Sequence, residues 1–315
     1  MSRFTDDHVS AWREEGFAIV PGFFFEEEIA PLRQDYERRY GTRGDSDGQA
    51  VTRRAENGGV LGEFRERQFK NIDTLPYEGS IELNLISLHP ALIEFAKALL
   101  GVPAVQLYQS HTWAKFTGET DYDQDFHCDF GNHTLLVPSD DPAHRTVDFI
   151  FYITDVTDEH GALHYVPKSV SEKILGPGRI GAADPDKQKA LKAKESSAAG
   201  PAGTLVAHGI DTFHRGTNLT LQDGYRYTMT VGYKASGNEK IAYHVWQQHH
   251  GRDFGDILAH GSPEQLACLG IPLPGDDYWT ERTLKLTNSR WPEWDMSPYF
   301  EAKGFAAKVF ESKSI

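Results

Sequence analysis

Residues 125–134 read DFHCDFGNHT and bring two histidines, two aspartates and a cysteine into ten positions. In an extended segment, residues i and i+2 point to one side and i+1 to the other. His127 and Asp129 therefore converge on one point, while Cys128 turns away as a small buried hydrophobe. Two ligands hold an ion poorly, so another histidine has to come from elsewhere in the chain. His214, in HGIDTFHRGTNLT between two β-type runs, is the best placed. His133 and His208 are its rivals; His133 follows Gly131 and reads as a pocket-lining residue, and His208 precedes a turn and reads as structural. Two imidazoles and one carboxylate on one face of an octahedron leave three positions open, the pattern of non-haem Fe(II) oxygenases.

Open positions call for a co-substrate. In YRYTMT, Arg226 and Thr228 share a strand face and offer a guanidinium fork and a hydroxyl to a carboxylate. Such a pair suits the far carboxylate of 2-oxoglutarate, whose other end would chelate the iron. A surface strand charge is the plain alternative for Arg226, but Met229, Val231 and Gly232 make the run core-like.

These residues need a scaffold. Residues 5–16 predict a helix capped by Thr5 and closed by Gly16, then the strand FAIV and a Pro21–Gly22 turn. Glu26–Tyr40 predicts a second helix with Ile29, Leu32 and Tyr36 on one face, acids in its first turn and arginines in its last. Residues 42–60 read as a polar loop, and 89–101 as an amphipathic helix ended by Gly101. From about 105 the pattern becomes short β runs, VQLYQS, TWAKFT, TVDFIFYITDV, LHYV, TLVAH and YRYTMTVGYK, implying an antiparallel sandwich or barrel. Residues 176–200 interrupt them as an exposed insertion with a short helix over DPDKQKALKAKE, whose lysines form a solvated face. After Ala235 the chain is aromatic and irregular, with a final helix expected at 299–311.

Composition narrows the function. With 39% hydrophobic residues in 315, the chain can bury a real core. A net charge of −14 argues against nucleic acid or an anionic membrane as partner and favours a small-molecule substrate. Two cysteines, Cys128 and Cys268, suit a reducing compartment. The acidic start, without an apolar leader segment, leads us to expect a cytoplasmic protein. Neither repeats nor a linker divide it, so one domain spanning 1–315 is expected: an N-terminal helical flank to 104, a core over 105–235, and a C-terminal extension over 236–315.

The order of motifs resembles the phytanoyl-CoA dioxygenase family of Fe(II)/2-oxoglutarate oxygenases. EEGFAIVPGFFFEEEIAPLR is similar to that family's opening helix, strand and helix, and FHCDF to its H-x-D strand. FYITDVTDEHGALHYVPKS and PAGTLVAHGIDTFHRGTN resemble the segments leading to its distal histidine. The resemblance implies a mainly β fold with flanking helices and a double-stranded β-helix (jelly-roll, cupin-like) core. It also implies Fe(II) held by His127, Asp129 and His214, 2-oxoglutarate anchored by Arg226, and O2 as oxidant. The expected reaction is hydroxylation of an unactivated C–H bond of a metabolite with release of succinate and CO2. Desaturation, epimerisation or cyclisation would start from the same hydrogen abstraction. Halogenation is disfavoured because Asp129 fills the position a halide would need. A zinc hydrolase and a non-catalytic cupin-like binding protein are the competing classes. The chain departs from the family in having Arg215 after the distal histidine instead of Gly, PKSV instead of Pro-Gly-Ser-His, and a slightly longer gap from His214 to Arg226. Trp113, His133 and Arg215 are the expected rim of the substrate pocket. Trp246, Trp279, Trp291 and Trp294 are expected to pack for the most part, with a lid as their alternative role.

Overall fold

The computed structural model describes residues 2–41, 69–117, 123–129, 133–134, 141–241 and 254–305. The expected loop at 42–60, and Trp246, His244, His249 and His250, lie outside the described residues.

The capping signals set the first helices as expected. α1 (Asp6–Glu15) starts at Thr5, whose backbone N–H donates to the His8 ring, and ends at Gly16. α2 (Glu26–Tyr40) buries Ile29, Leu32 and Tyr36 and ends at Gly41. α3 (Pro90–Leu100) buries Leu92, Phe95 and Leu99 and ends at Gly101. The stretch Ile81–Leu100 is apolar and long enough by composition to cross a membrane, but it is 61% buried within the protein. It serves as a core segment, interrupted at His89.

Among the described residues, nine strands follow the chain: β1 (Phe17–Val20), β2 (Phe69–Thr74), β3 (Val105–Phe116), β4 (Thr146–Tyr152), β5 (Leu163–Tyr165), β6 (Ser196–Ser197), β7 (Leu205–His208), β8 (His214–Gly216) and β9 (Tyr225–Ala235). They form a six-stranded sheet, β1-β7-β4-β9-β3-β2, and a three-stranded one, β6-β5-β8, with antiparallel pairing throughout. This is the mainly β jelly-roll core with flanking helices that the family resemblance implies.

Several details differ from the sequence reading. VQLYQS and TWAKFT are one strand, because no turn residue separates them. The H-x-D run is no full strand; it makes a single bridge, His127 to His214. The large sheet also draws β1 and β2 from the expected helical flank. A helix not anticipated, α4 (Lys168–Leu175), precedes the insertion, within which α5 (Pro185–Lys192) forms where DPDKQKALKAKE suggested one. The irregular C-terminal segment contains helices Gly255–His260, Pro263–Ala267, Glu281–Arg290 and Ser297–Ala302; of the final helix expected at 299–311, the residues past 305 lie outside the described ones.

Strand alternation divides the large sheet into two surfaces. Tyr227, Met229, Val231 and Tyr233 join the main hydrophobic cluster with α2, α3, Trp279 and Trp294. Those C-terminal tryptophans thus pack behind the sheet. The opposite surface carries Arg226, Thr228 and Gly232, whose cross-strand partners are Lys115, Trp113 and Asp148; Asp148 in turn lies opposite His208. Directly opposed residues share a face, so this polar row lines the inside of the jelly roll.

One ionic knot ties the N-terminus to this frame. Arg3 grips Glu28 through both guanidinium nitrogens at 2.7 and 2.8 Å, and the His89 ring lies 3.0 Å from the same carboxylate. Burial alone would raise the Glu28 pKa, but Arg3, the Phe25 N–H and His89 outweigh it and take it from 4.5 down to about 2. A depressed carboxylate stabilises the fold above its unfolded pKa, and the contribution fades as pH falls through the folded value. Stability is therefore expected to drop between about pH 4.5 and pH 2 by about 2 kcal/mol more in wild type than in Glu28→Gln, after discounting for partial exposure. Urea titrations across that range check it; parallel pH profiles for the two proteins would refute the assignment.

Candidate active site

The ligand residues come together from opposite ends of the β region. The His127 N–H donates to the His214 carbonyl at 3.0 Å, and the His214 N–H returns the bond at 2.9 Å. This reciprocal bridge sets the two imidazoles side by side, with ring centroids 4.7 Å apart. Asp129 reaches in from two residues on. Its Oδ1 lies 3.8 Å from His127 Nε2 and its Oδ2 3.6 Å from His214 Nε2. The three donor atoms fall within 4.8 Å of one another.

The second ring nitrogens fix the tautomers. His127 Nδ1 lies 2.9 Å from the Asp125 carbonyl, and His214 Nδ1 lies 3.0 Å from the Thr212 carbonyl. A carbonyl only accepts, so each Nδ1 carries the proton and each Nε2 presents a lone pair to the centre. Burial pushes the His214 imidazolium down to about pKa 4, despite the pull of Asp129, which keeps the ring neutral at physiological pH. Burial would raise the Asp129 carboxyl, but His214, His208 and His127 hold it well below the usual range. Two imidazoles turned Nε2-inward and an anionic carboxylate suit a divalent transition metal, which bonds nitrogen and oxygen at about 2.0–2.2 Å and would draw these groups in slightly.

His208, a rival ligand that the sequence reading set aside as structural, also faces this centre. Its side chain is 1% exposed, its Nε2 stands 3.8 Å from Asp129 Oδ2, and its Nδ1 lies 3.2 Å from the Tyr165 hydroxyl. Cys128 turns away, as expected, and its thiol donates to the Ile180 carbonyl at 3.1 Å.

Deeper in the roll, Arg226 is buried beside a second cation. Lys115 lies directly opposite it on β3 and is 1% exposed. Arg226 Nη1 donates to the Gly161 carbonyl and Lys115 Nζ to the Thr217 carbonyl. Burial first, and the neighbouring guanidinium next, push the Lys115 pKa well below its ordinary value. A buried guanidinium beside a buried amine is a setting in which a bound anion would favour the ammonium form of Lys115. Thr228 shares their face and is buried too. The alternation in TWAKFT placed Lys115 in phase with Trp113; a lysine in a strand reads as solvated until its cross-strand partner is known.

Gly161 shapes this end. It has φ +75°, and a Cβ there would sit 2.6 Å from the Thr217 carbonyl oxygen and 2.9 Å from Lys115 Nζ. Gly161→Ala is expected to displace Lys115 and to weaken 2-oxoglutarate binding about tenfold while leaving metal affinity unchanged. Parallel titrations of the variant with metal and with 2-oxoglutarate test this; an equal loss of both would contradict it.

Of the expected pocket residues, Trp113 stands on the inner face opposite Thr228, its Nε1 donating to Thr230 Oγ1 at 2.9 Å. His133 is buried with its ring edge-on to Tyr108 at 5.2 Å. Tyr108 donates to Asp148 at 2.7 Å, and its ring lies so close to Gly232 that a Cβ there would be 2.6 Å from it. Arg215 does not join the site. Alternation along β8 sends it to the far side of His214, where it pairs with Glu195 at 2.7 and 2.9 Å and with Asp123. Its charge is therefore compensated outside the pocket.

A jelly roll bearing two histidines and one carboxylate at its mouth defines the cupin-like class of mononuclear metal enzymes. The phytanoyl-CoA dioxygenase (PhyH) family profile matches residues 12–226. The chain belongs to that family, whose enzymes use Fe(II), 2-oxoglutarate and O2. No curated protein matches it. Among solved structures, it is similar in fold to the carbocyclase SnoK of nogalamycin biosynthesis (19% identity, 79% of this chain and 89% of that one, TM-score 0.51). It is also similar to the epimerase SnoN, solved with Fe3+, alpha-ketoglutarate and nogalamycin RO (16%, 73% and 83%, 0.50). HygX from Streptomyces hygroscopicus, solved with nickel, 2-oxoglutarate and hygromycin B, is a third (15%, 74% and 88%, 0.50).

Proposed function

We propose that the chain, as one oxygenase domain, hydroxylates an unactivated C–H bond of a small molecule and releases succinate and CO2. His127, Asp129 and His214 would hold Fe(II), and Arg226 with Thr228 and Lys115 would hold the far carboxylate of 2-oxoglutarate. The observation that carries this reading is the pairing of two features within one roll: a neutral-imidazole and carboxylate triad, and a buried cation pair further along the same inner wall. When bound, iron with 2-oxoglutarate and O2 supplies the oxidising power. The chain's own residues bind and orient. The carbonyls of Asp125 and Thr212 hold the imidazoles in their ligating tautomer. Arg226 and Lys115 fix the co-substrate's direction. Tyr165 stacks on the His214 ring at 5.5 Å and belongs with Tyr152 and Val206 to a buried apolar cluster that would help keep water from the centre. A zinc hydrolase would leave the buried cation pair without a role.

Anaerobic addition of Fe(II) and 2-oxoglutarate is expected to give a weak visible charge-transfer band, and admitting O2 to give succinate. Folded protein showing neither would refute the proposal. Mass analysis of the substrate distinguishes oxygen insertion from desaturation, epimerisation or cyclisation.

A further inference from the structure

A cavity of about 380 Å³ opens at the metal-bearing end of the roll. Its walls come from the segments that enter or leave the strands at that end: 209–211 and Phe213 after β7, 144–146 before β4, 240–241 after β9, α4 after β5, and Trp12, Arg13 and Gly16 before β1. The row His208, Asp148 and Gly232 crosses the sheet at the height of the triad. Gly209 and Phe213, the chain neighbours of His208 and His214, are among the cavity's lining residues. Arg226 lies on the opposite side of it, six residues back along β9 from Gly232, or roughly 20 Å by strand rise.

The charge of this cavity opposes that of the chain. Against a net −14, the described residues lining it include Arg13, Arg145, Lys168, Arg179 and Lys240, with Glu172 and Asp211 as the acids. Lys168 pairs with Asp211 at 2.6 Å, and Arg13 donates to the Leu99 and Ala98 carbonyls. Arg179 and Lys240 have no ion-pair partner among the described residues. Trp12, 5% exposed, adds an indole Nε1 with no hydrogen-bond partner among them. Clustered cations on an acidic protein focus the local potential for an anion and lose that effect when screened by salt.

We propose that this cavity binds the anionic group of the primary substrate, a small molecule bearing a phosphate, sulfate or carboxylate, and so presents its carbon skeleton to the metal centre. This rests on the oxygenase reading, naming the substrate class for that site. The 2-oxoglutarate pair cannot serve instead, since it lies beyond the triad.

Inorganic phosphate titrated into the full-length, metal-free protein and followed by 31P NMR at fixed ionic strength tests it. Wild type is expected to bind phosphate equally well with and without saturating 2-oxoglutarate. Arg179→Glu/Lys240→Glu is expected to bind it at least about tenfold more weakly, while its iron–2-oxoglutarate absorption band stays as in wild type. Phosphate displaced by 2-oxoglutarate, or bound undiminished by the double variant, would overturn the inference. Sulfate and acetate run in parallel rank the three anion types. The absorption band reports on the oxygenase reading separately, so a missing band with intact phosphate binding condemns that reading and not the anion site.

Discussion

His214→Ala is expected to fold normally yet to bind Fe(II) on the order of 10²–10³-fold more weakly and to form no succinate above background. Four-ligand structural metal sites gather about 10–16 kcal/mol, so a single ligand is worth about 2.5–4 kcal/mol. His214 is the most telling ligand to remove because its side chain is 6% exposed, compared with 38% for His127. A buried ring already held neutral gives up little when metal binds, and its loss leaves a void that water fills imperfectly. The β8 strand keeps its backbone bonds to His127 in the variant, so circular dichroism and thermal unfolding should change little. Equilibrium dialysis against Fe(II) gives the affinity. Wild-type affinity in the variant would remove His214 from the ligand set and turn attention to His208, which stands as close to Asp129 as His127 does.

The second large effect concerns the buried guanidinium. Arg226→Ala is expected to raise the KM for 2-oxoglutarate by about 10²-fold, equivalent to about 2.7 kcal/mol, the range of a charge-assisted bond in a desolvated site. Fe(II) affinity should stay within about twofold, because Arg226 belongs to the co-substrate end of the wall. Arg226→Lys should restore little, since an ammonium cannot reproduce the fork. Lys115→Met should act in the same direction and more weakly. Steady-state succinate formation over a range of 2-oxoglutarate concentrations measures all three. An unchanged KM in Arg226→Ala would dismiss the cation pair as a receptor.

Much of this site was legible wherever local geometry decided it. The i, i+2 rule paired His127 with Asp129 and Arg226 with Thr228, although the first pair sits in a segment with only one bridge. Caps fixed the ends of the first helices, because Thr5, Gly16, Gly41 and Gly101 act within a single turn. Alternation along β8 sends Arg215 to the other side of the strand from His214, yet its partners Asp123 and Glu195 lie far away in sequence and only folding reveals them. Lys115 escaped notice, and His208 was set aside as structural, for a related reason. Their roles depend on cross-strand register, which a single strand does not encode. The C-terminal helices before Ser297 were missed because they are short, and their packing determines them more than their own periodicity does.

Arg215 has a further consequence. Asp123 stands just before the H-x-D segment, and Arg215 directly follows the distal histidine, so their ion pair straps the two ligand-bearing segments together behind the centre. Glu195 grips the same guanidinium from the insertion. The ordering of the ligands is thereby completed when the polypeptide folds, before any ion arrives. Metal loaded at the three candidate ligands is then expected to exchange without refolding of the segments that carry them.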